Sequence, residues 1–447
     1  MRNSSRLSTL AAIAVVAVVG CSSSATPTPV SVTPVPGTQA PAGSVAPGAS
    51  AAATPYSAGV DDGTHISVWT RASTQSQAQE LVAAYNATHK NQVDLTVVPN
   101  DNMQAKVGAA AGSGSLPDVI SGDVAFMPNW AGQGLFTDLT ADIAALPFAS
   151  SLTQGPIKAS TVGGKEYGLP FILDLSVWVY NKDLFAKAGI TTPPTTLTEF
   201  AADADKVQAL KISGTYGTEI AGECFGCEVF TWWPSIWADG GQVMNADGTA
   251  ATLNTDEAKK VYGLYASMVK DTAPGDKSEA GATWIAGFEA GKVGIQSFPG
   301  SSLPSIPSTV NYGVVAIGGV TGGQSTFVGG DGIGITNTSK HVSQAWNFLS
   351  WTLGDYAQVQ IVAKGGNFPV RSDLASNSYS SALSYNSVIS GVFPKGVTPL
   401  AKNFGSAYND ANGPWGVLTR DVLYGGGANS SKLGAENDAI TKVLAGS

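Results

Sequence analysis

Histidine and cysteine are scarce in this chain, with three of each among 447 residues. His65, His89 and His341 lie far apart, with no His-x-x-x-His or Glu-x-x-His pair to hold a metal ion. No Gly-x-x-x-x-Gly-Lys-Ser/Thr run is present, which excludes a nucleotide-binding P-loop. Gly112-Ser113-Gly114-Ser115 reads as a loop, not as a nucleophile elbow between strand and helix. Charge is also sparse, at 13% of residues, and basic residues are fewer than acidic ones, 24 against 33. A net charge of −9 excludes nucleic-acid binding by phosphate neutralisation and disfavours anionic ligands. Apolar runs are short. The run Leu10–Val19 cannot span a bilayer as a stable helix.

That short run belongs to a targeting segment. Arg2 and Arg6 precede it, and Val18-Val19-Gly20-Cys21 follows with a small residue directly before a cysteine. This pattern predicts a signal peptide over residues 1–20 and lipidation of Cys21, which becomes the new N-terminus. Cleavage removes Arg2 and Arg6 and no acid, leaving a net charge of −11. Residues 22–58 hold no charge and are rich in Pro, Ser, Thr, Ala and Gly, so residues 21–60 read as a disordered tether. At polyproline rise it reaches on the order of 100 Å. The expected location is extracytoplasmic, anchored by lipid to the outer face of the cell membrane, with no other membrane contact.

In that oxidising compartment Cys224 and Cys227, in Cys-Phe-Gly-Cys, are close enough for a disulfide. Free thiols or a redox pair are the alternatives. Zinc is disfavoured because no second Cys or His pair accompanies them.

A globular pattern begins near Asp61. His65–Thr70 and Gln92–Val98 read as strands and 76–89 as the helix between them. Met103–Ala111 reads as a second helix, and a third strand enters at 116–120. Such βαβ units build a parallel sheet, and ligands sit beyond the strand C-termini. Those ends are Trp69-Thr70-Arg71 and Ser121-Gly122-Asp123. Further on, Asn181 caps a short helix that Gly189 ends, and Thr198 with Glu199 opens the next one. Helices are also expected over 256–271, 339–353 and 434–444, and a strand at 311–315.

Three motifs stand in order between 163 and 196: Gly-Lys-Glu-Tyr-Gly-Leu-Pro, Tyr-Asn-Lys-Asp-Leu-Phe and Ala-Gly-Ile-Thr-Thr-Pro-Pro-Thr-Thr. Together they resemble extracellular solute-binding proteins of ABC importers, in the sugar-binding branch that includes maltose-binding protein. Phe-Thr-Trp-Trp-Pro-Ser-Ile-Trp-Ala-Asp-Gly-Gly at 230–241 and Phe-Glu-Ala-Gly-Lys-Val at 288–293 extend the likeness over most of 61–447. The resemblance implies an α/β fold of the two-lobed periplasmic-binding-protein type II. Each lobe is a mostly parallel sheet flanked by helices, joined by a three-strand hinge. The N-lobe would be 61–173 plus 331–372 and the C-lobe 174–330 plus 373–447, with the third crossing near 371–375. It implies no enzyme, no cofactor and no metal. Its partners would be a sugar, expected as a di- or oligosaccharide, and the permease subunits of an importer, the protein being a monomer. A polyol or glycerol phosphoester ligand, a lipid-anchored hydrolase and a tethered sensor are the alternatives.

Sugars offer flat CH faces to aromatic rings and hydroxyls to charged groups, so a site needs both. By resemblance Glu228 and Asp174 fall on ligand-bonding carboxylates, and Phe230 and Trp415 on stacking aromatics. Trp178 and one of Trp232, Trp233 and Trp237 are expected at the cleft, with Trp233 carried as the candidate. Gly300, in Phe298-Pro299-Gly300, stands where relatives have a tryptophan. Residues 122–126 depart from the family's sugar-contacting run, which makes Asp123 and Arg71 the substitutes by position. Asp331, also carried as a ligand-binding candidate, lies in Gly329-Gly330-Asp331-Gly332, a glycine-rich stretch suited to a hinge.

If Cys21 carries the anchor, Cys21→Ala shifts the protein from the membrane fraction to the soluble one. Retention on membranes would place the anchor elsewhere.

Overall fold

The computed structural model describes residues 56–446. Cys21 and the segment before residue 56 lie outside the described residues. No described helix is long and apolar enough to cross a membrane.

The chain opens with β1 (His65–Arg71), α1 (Gln75–Thr88), β2 (Gln92–Val98), α2 (Met103–Ser113) and β3 (Val119–Asp123). β1 pairs in parallel with both β2 and β3, as βαβ units require. The long strand β4 (Leu169–Asn181) follows, then α3 (Leu197–Gln208), α4 (Phe225–Ala238) and α5 (Asp256–Met268). β5 (Ile295–Pro299), β6 (Tyr312–Val315), β7 (Val328–Ile335), α6 (Val342–Thr352), α7 (Pro414–Tyr424) and α8 (Leu433–Ala445) complete the main elements. The sheet order is β2-β1-β3-β7-β4-β5, with β6 also on β4. Pairing is parallel among β1, β2 and β3, while β7, β5 and β6 run antiparallel to their partners.

β4 and β7 are the long-range connectors. Residues 169–175 of β4 pair with β7, and from Ser176 onward the same strand pairs with β5 and β6. Of its thirteen residues only Asp174 and Tyr180 are half-exposed. β7 is buried throughout although four of its eight residues are glycine. Gly330 shows why. Its φ is +101, and a Cβ there would stand 2.0 Å from the Ile172 carbonyl oxygen. Only glycine allows β7 to lie that close to β4.

Local signals explain the helix starts. The Asn181 side chain accepts from the backbone N–H of Asp183 and Leu184, which fixes the helix Lys182–Lys187. α3 begins one turn-defining step earlier than Thr198. Thr196 is its N-cap, and a capping box joins Thr196 to Glu199.

A third stretch runs beside β7. Val328 donates to the Val397 carbonyl, and Val397 donates to the Thr326 carbonyl. Thr398 Oγ1 donates to the Val328 carbonyl. Arg371 bridges to Leu152, is ion-paired to Asp355 and is set over the Phe148 ring. Nearby, Tyr385 packs edge-on against Phe368, and Tyr379 donates to Gln360.

The second core gathers around α4. This helix is buried on nearly every side, including Trp232, Trp233 and Trp237. An all-round apolar helix belongs inside a lobe. Trp415 on α7 lies 6.1 Å from Trp232 and 5.8 Å from Trp233 by ring centroid, and its indole N–H donates to the Phe225 carbonyl at 3.1 Å. It has no exposed surface. Trp415→Ala is therefore expected to cost about 3–5 kcal/mol of stability, as a large aromatic lost from a closed core. Denaturant unfolding measures this. A loss under about 1 kcal/mol would show that the ring is not structural.

Candidate functional site

The C-terminal ends of β1 and β3 meet β7 at one point. Register places Asp331 of β7 opposite Asp123 of β3. Two carboxylates facing each other repel, and Arg71, at the end of β1, lies between them. Its Nε is 2.6 Å from Asp331 Oδ1 and its Nη1 is 2.9 Å from Asp123 Oδ2. The second oxygen of Asp331 accepts from Thr74 Oγ1 at 2.9 Å and Ser121 Oγ at 3.1 Å. Burial pushes the Asp331 carboxyl above its usual range, partly offset by Arg71. Burial disfavours the Arg71 cation, but Asp123, Asp331 and Asp174 outweigh it and hold the guanidinium charged.

Asp174 approaches this cluster from β4, opposite Gly329. Its Oδ1 accepts from the backbone N–H of Leu175 at 2.8 Å and of Ser301 at 2.9 Å. Burial raises its pKa to about 6, opposed by the Ser301 contacts and the Arg71 charge. Gly300 precedes Ser301, and a Cβ on it would meet the Leu175 carbonyl and the Phe368 ring, both at 2.9 Å. No tryptophan fits there. Phe230 completes the group. It is half-buried, 5.3 Å from Phe327 by ring centroid, with its ring edge against Gly329.

Arg71, Asp123, Asp174, Gly300 and Phe230 are thus gathered around the β4–β7 connection. Arg71 and Asp123 retain 16% and 24% of their side-chain exposure, enough to offer edges to a solute. Asp331 belongs to the same cluster, fully buried and paired with Arg71. Four expected residues lie elsewhere. Trp178 is fully buried against Phe200 at 4.9 Å. Trp233 is enclosed by Trp237, Phe404, Tyr408 and Trp415. Trp415 has no free face for stacking. Glu228 is 2% exposed and lines a small cavity with Cys227, Thr231 and Trp284. Trp178 packs against α3 and the other three sit where α4 packs, away from the cluster.

Two contributors had weak signals. The Ser301 N–H carries no side-chain signature. Trp69 is half-buried two residues before Arg71, and the Lys106 ammonium lies 4.3 Å above its ring. Strand alternation puts Trp69 and Arg71 on one face, a signal present in the spacing.

The fold is a two-lobed α/β architecture with polar groups gathered at its strand ends. The sequence profile of the bacterial extracellular solute-binding proteins matches residues 70–359. A Brucella abortus chain named as a putative binding protein is 29% identical over 308 residues, covering 67% of this chain and 74% of its own. The diacetylchitobiose-binding protein DasA of Streptomyces coelicolor is 25% identical over 373 residues, 78% of this chain and 83% of its own. The structure of an ABC transporter solute-binding protein from Thermotoga lettingae, bound to α-D-tagatose, superposes with a TM-score of 0.75. It covers 85% of this chain and 100% of its own at 18% identity. The chain belongs to the bacterial extracellular solute-binding protein family. It is a binding protein of an ABC transport system, not an enzyme, and its place is outside the cytoplasm.

The Asp174 carboxyl gives a pH signature. Its folded pKa is raised, so ionising it costs folded-state stability. The cost is absent below about pH 4, grows between about pH 4 and 6, and is complete above. Asp174→Asn keeps an oxygen for both backbone donors. It is expected to be more stable than the parent at pH 7, by on the order of 2 kcal/mol, and equal to it below about pH 4. Urea unfolding at several pH values checks this; equal stability throughout would mean that Asp174 is solvated like a free carboxylate.

Proposed function

We propose that the protein captures a neutral sugar at the Arg71–Asp123–Asp174–Phe230 cluster and delivers it to the permease of an ABC importer. The observation that carries this is the meeting of Arg71, Asp123 and Asp174, from three strands, beside one half-exposed aromatic ring. Carboxylates accept from sugar hydroxyls, the guanidinium donates to them, and Phe230 covers a CH face. Three carboxyls around one guanidinium leave excess negative charge, which disfavours phosphoesters. In this reading the polar groups sit between the two lobes. A solute bridging them favours the closed form through contacts only that form makes. We place the lobes on either side of Leu173–Leu175, Phe327–Asp331 and Lys395–Thr398. Cys21 would tether the receptor by its lipid, and the receptor would act as a monomer.

Within this reading a di- or oligosaccharide is the first ligand, in line with the diacetylchitobiose named for DasA. A compact monosaccharide or polyol is the second. It is favoured by the burial of Trp178, Trp233 and Trp415, which leaves few platforms for successive rings. Diacetylchitobiose, maltose and tagatose, tested by thermal shift and calorimetry, separate the two. Binding of a disaccharide supports the first, and binding of tagatose alone supports the second. Asp123→Asn and Phe230→Ala are each expected to weaken the bound sugar at least tenfold, about 1.4 kcal/mol. Unchanged affinity in both would move the site elsewhere.

A further inference from the structure

Two helices close over the strand end that carries Asp123. Gly122 precedes it. A Cβ on Gly122 would meet the Trp130 ring at 2.5 Å and Met103 Cε at 3.8 Å. Trp130 comes from the helix Met127–Gly132 and Met103 from α2. Both belong to one core with Val107 and with Ile120 of β3. The helix Phe404–Tyr408 belongs to the other core, where Phe404 and Tyr408 pack against Trp233 of α4.

These two cores touch beside Asp123. Gln104, on the first turn of α2, is half-buried and lays its carboxamide against the Gly405 backbone. A Cβ on Gly405 would stand 2.0 Å from Gln104 Nε2 and 2.8 Å from Cδ. Glycine leaves the room that the amide fills. The Lys402 side chain passes Gly132, with Cε 3.6 Å from where a Cβ would stand. Leu400 packs against the α2 core, and its neighbour Ala401 is buried in the α4 core. Ala125 is buried in the α4 core as well, and its N–H donates to Asp123 Oδ1 at 3.0 Å. Arg71, Asp174 and Phe230 take no part in these contacts, so a solute is not needed to make them.

We propose that Gln104 and Gly405 form a latch that holds the two cores together without a solute, so that the receptor rests closed and must open to admit its sugar. The latch is suited to parting. It sets an uncharged side chain against a backbone, and each such atom pair contributes little. Lys402 is exposed, so its stem leaves Gly132 without drawing a buried charge into water.

A latch of this kind shifts a two-state equilibrium and does not lock it. The sugar enters through the minor open form, and its apparent affinity is lowered by the open fraction. That last step rests on the capture reading; the contact between the cores does not. Gln104 and Gly405 thus tune capture without touching the solute.

The test is a cross-link in the full chain carrying Gln104→Cys and Gly405→Cys. Gln104 Cδ already lies 2.8 Å from a Cβ at 405, so the two thiols come within disulfide reach. Cys224 and Cys227 are paired with each other and do not compete. Oxidation followed by mass spectrometry is expected to show the new disulfide in the sugar-free protein. Its rate should lie within about twofold of that in saturating diacetylchitobiose, maltose or tagatose. Cross-linking that requires one of these sugars would show that the solute makes the contact. No cross-link under either condition would show that the cores do not meet there. Either result overturns the latch. If the double variant does not fold, Gly405→Trp decides by small-angle scattering without sugar. Its ring is expected to wedge the cores apart and enlarge the radius of gyration over the parent, and an unchanged radius would overturn the proposal. If none of the three sugars binds the parent chain, the capture reading falls while the sugar-free cross-link still decides the latch.

Discussion

One guanidinium holds the strand ends of this receptor together. Arg71 lies between Asp331 and Asp123, which the sheet register forces opposite each other. Remove the cation and two carboxylates face across a ladder in partly dry surroundings, where repulsion is least screened. The rest of the cluster follows from that constraint. Thr74 and Ser121 satisfy the second oxygen of Asp331, so the buried acid tolerates its position. Asp123 stays partly exposed because Arg71 reaches it from one side only. The charge balance of the opening is thereby set by groups that also fix the sheet.

The same junction explains the glycines of β7. The strand must pair with β3 and β4 while side chains from other elements close over it. Met127 would meet a Cβ on Gly332 at 2.8 Å, and Phe136 would meet one on Gly334 at the same distance. Small residues let the connector run through the middle of the sheet, where a longer side chain would force the flanking strands apart. Flexibility is therefore not the first reason for this glycine run; close packing is.

Aromatic residues divide by the same logic. A ring on a helix with one apolar stripe can face a cleft, but α4 is apolar on nearly all sides. Trp232 and Trp233 meet Trp415 in one core. Phe230 escapes because it lies toward the β7 end, beside Phe327 and Gly329. Ring count alone thus says little about ligand stacking.

Much of the architecture was legible in residue order. The alternation of strands and helices between His65 and Asp123, the Asn181 cap and the placement of Arg71 and Asp123 at strand ends all follow from local pattern. These features depend on periodicity and capping, which act over a few residues. Asp331 as the partner of Arg71 depends on a contact 260 residues apart in sequence. Likewise the burial of Trp415 and Glu228, the use of 395–398 beside β7, and the half-exposure of Phe230 were decided by tertiary packing. Identical residue types sit in core and cleft alike, and only the geometry of the surrounding elements determines which atoms meet water. Sequence by itself determined the secondary elements, the acid excess and the strand ends that carry charge. The fold alone decided which of those charges and rings face one another.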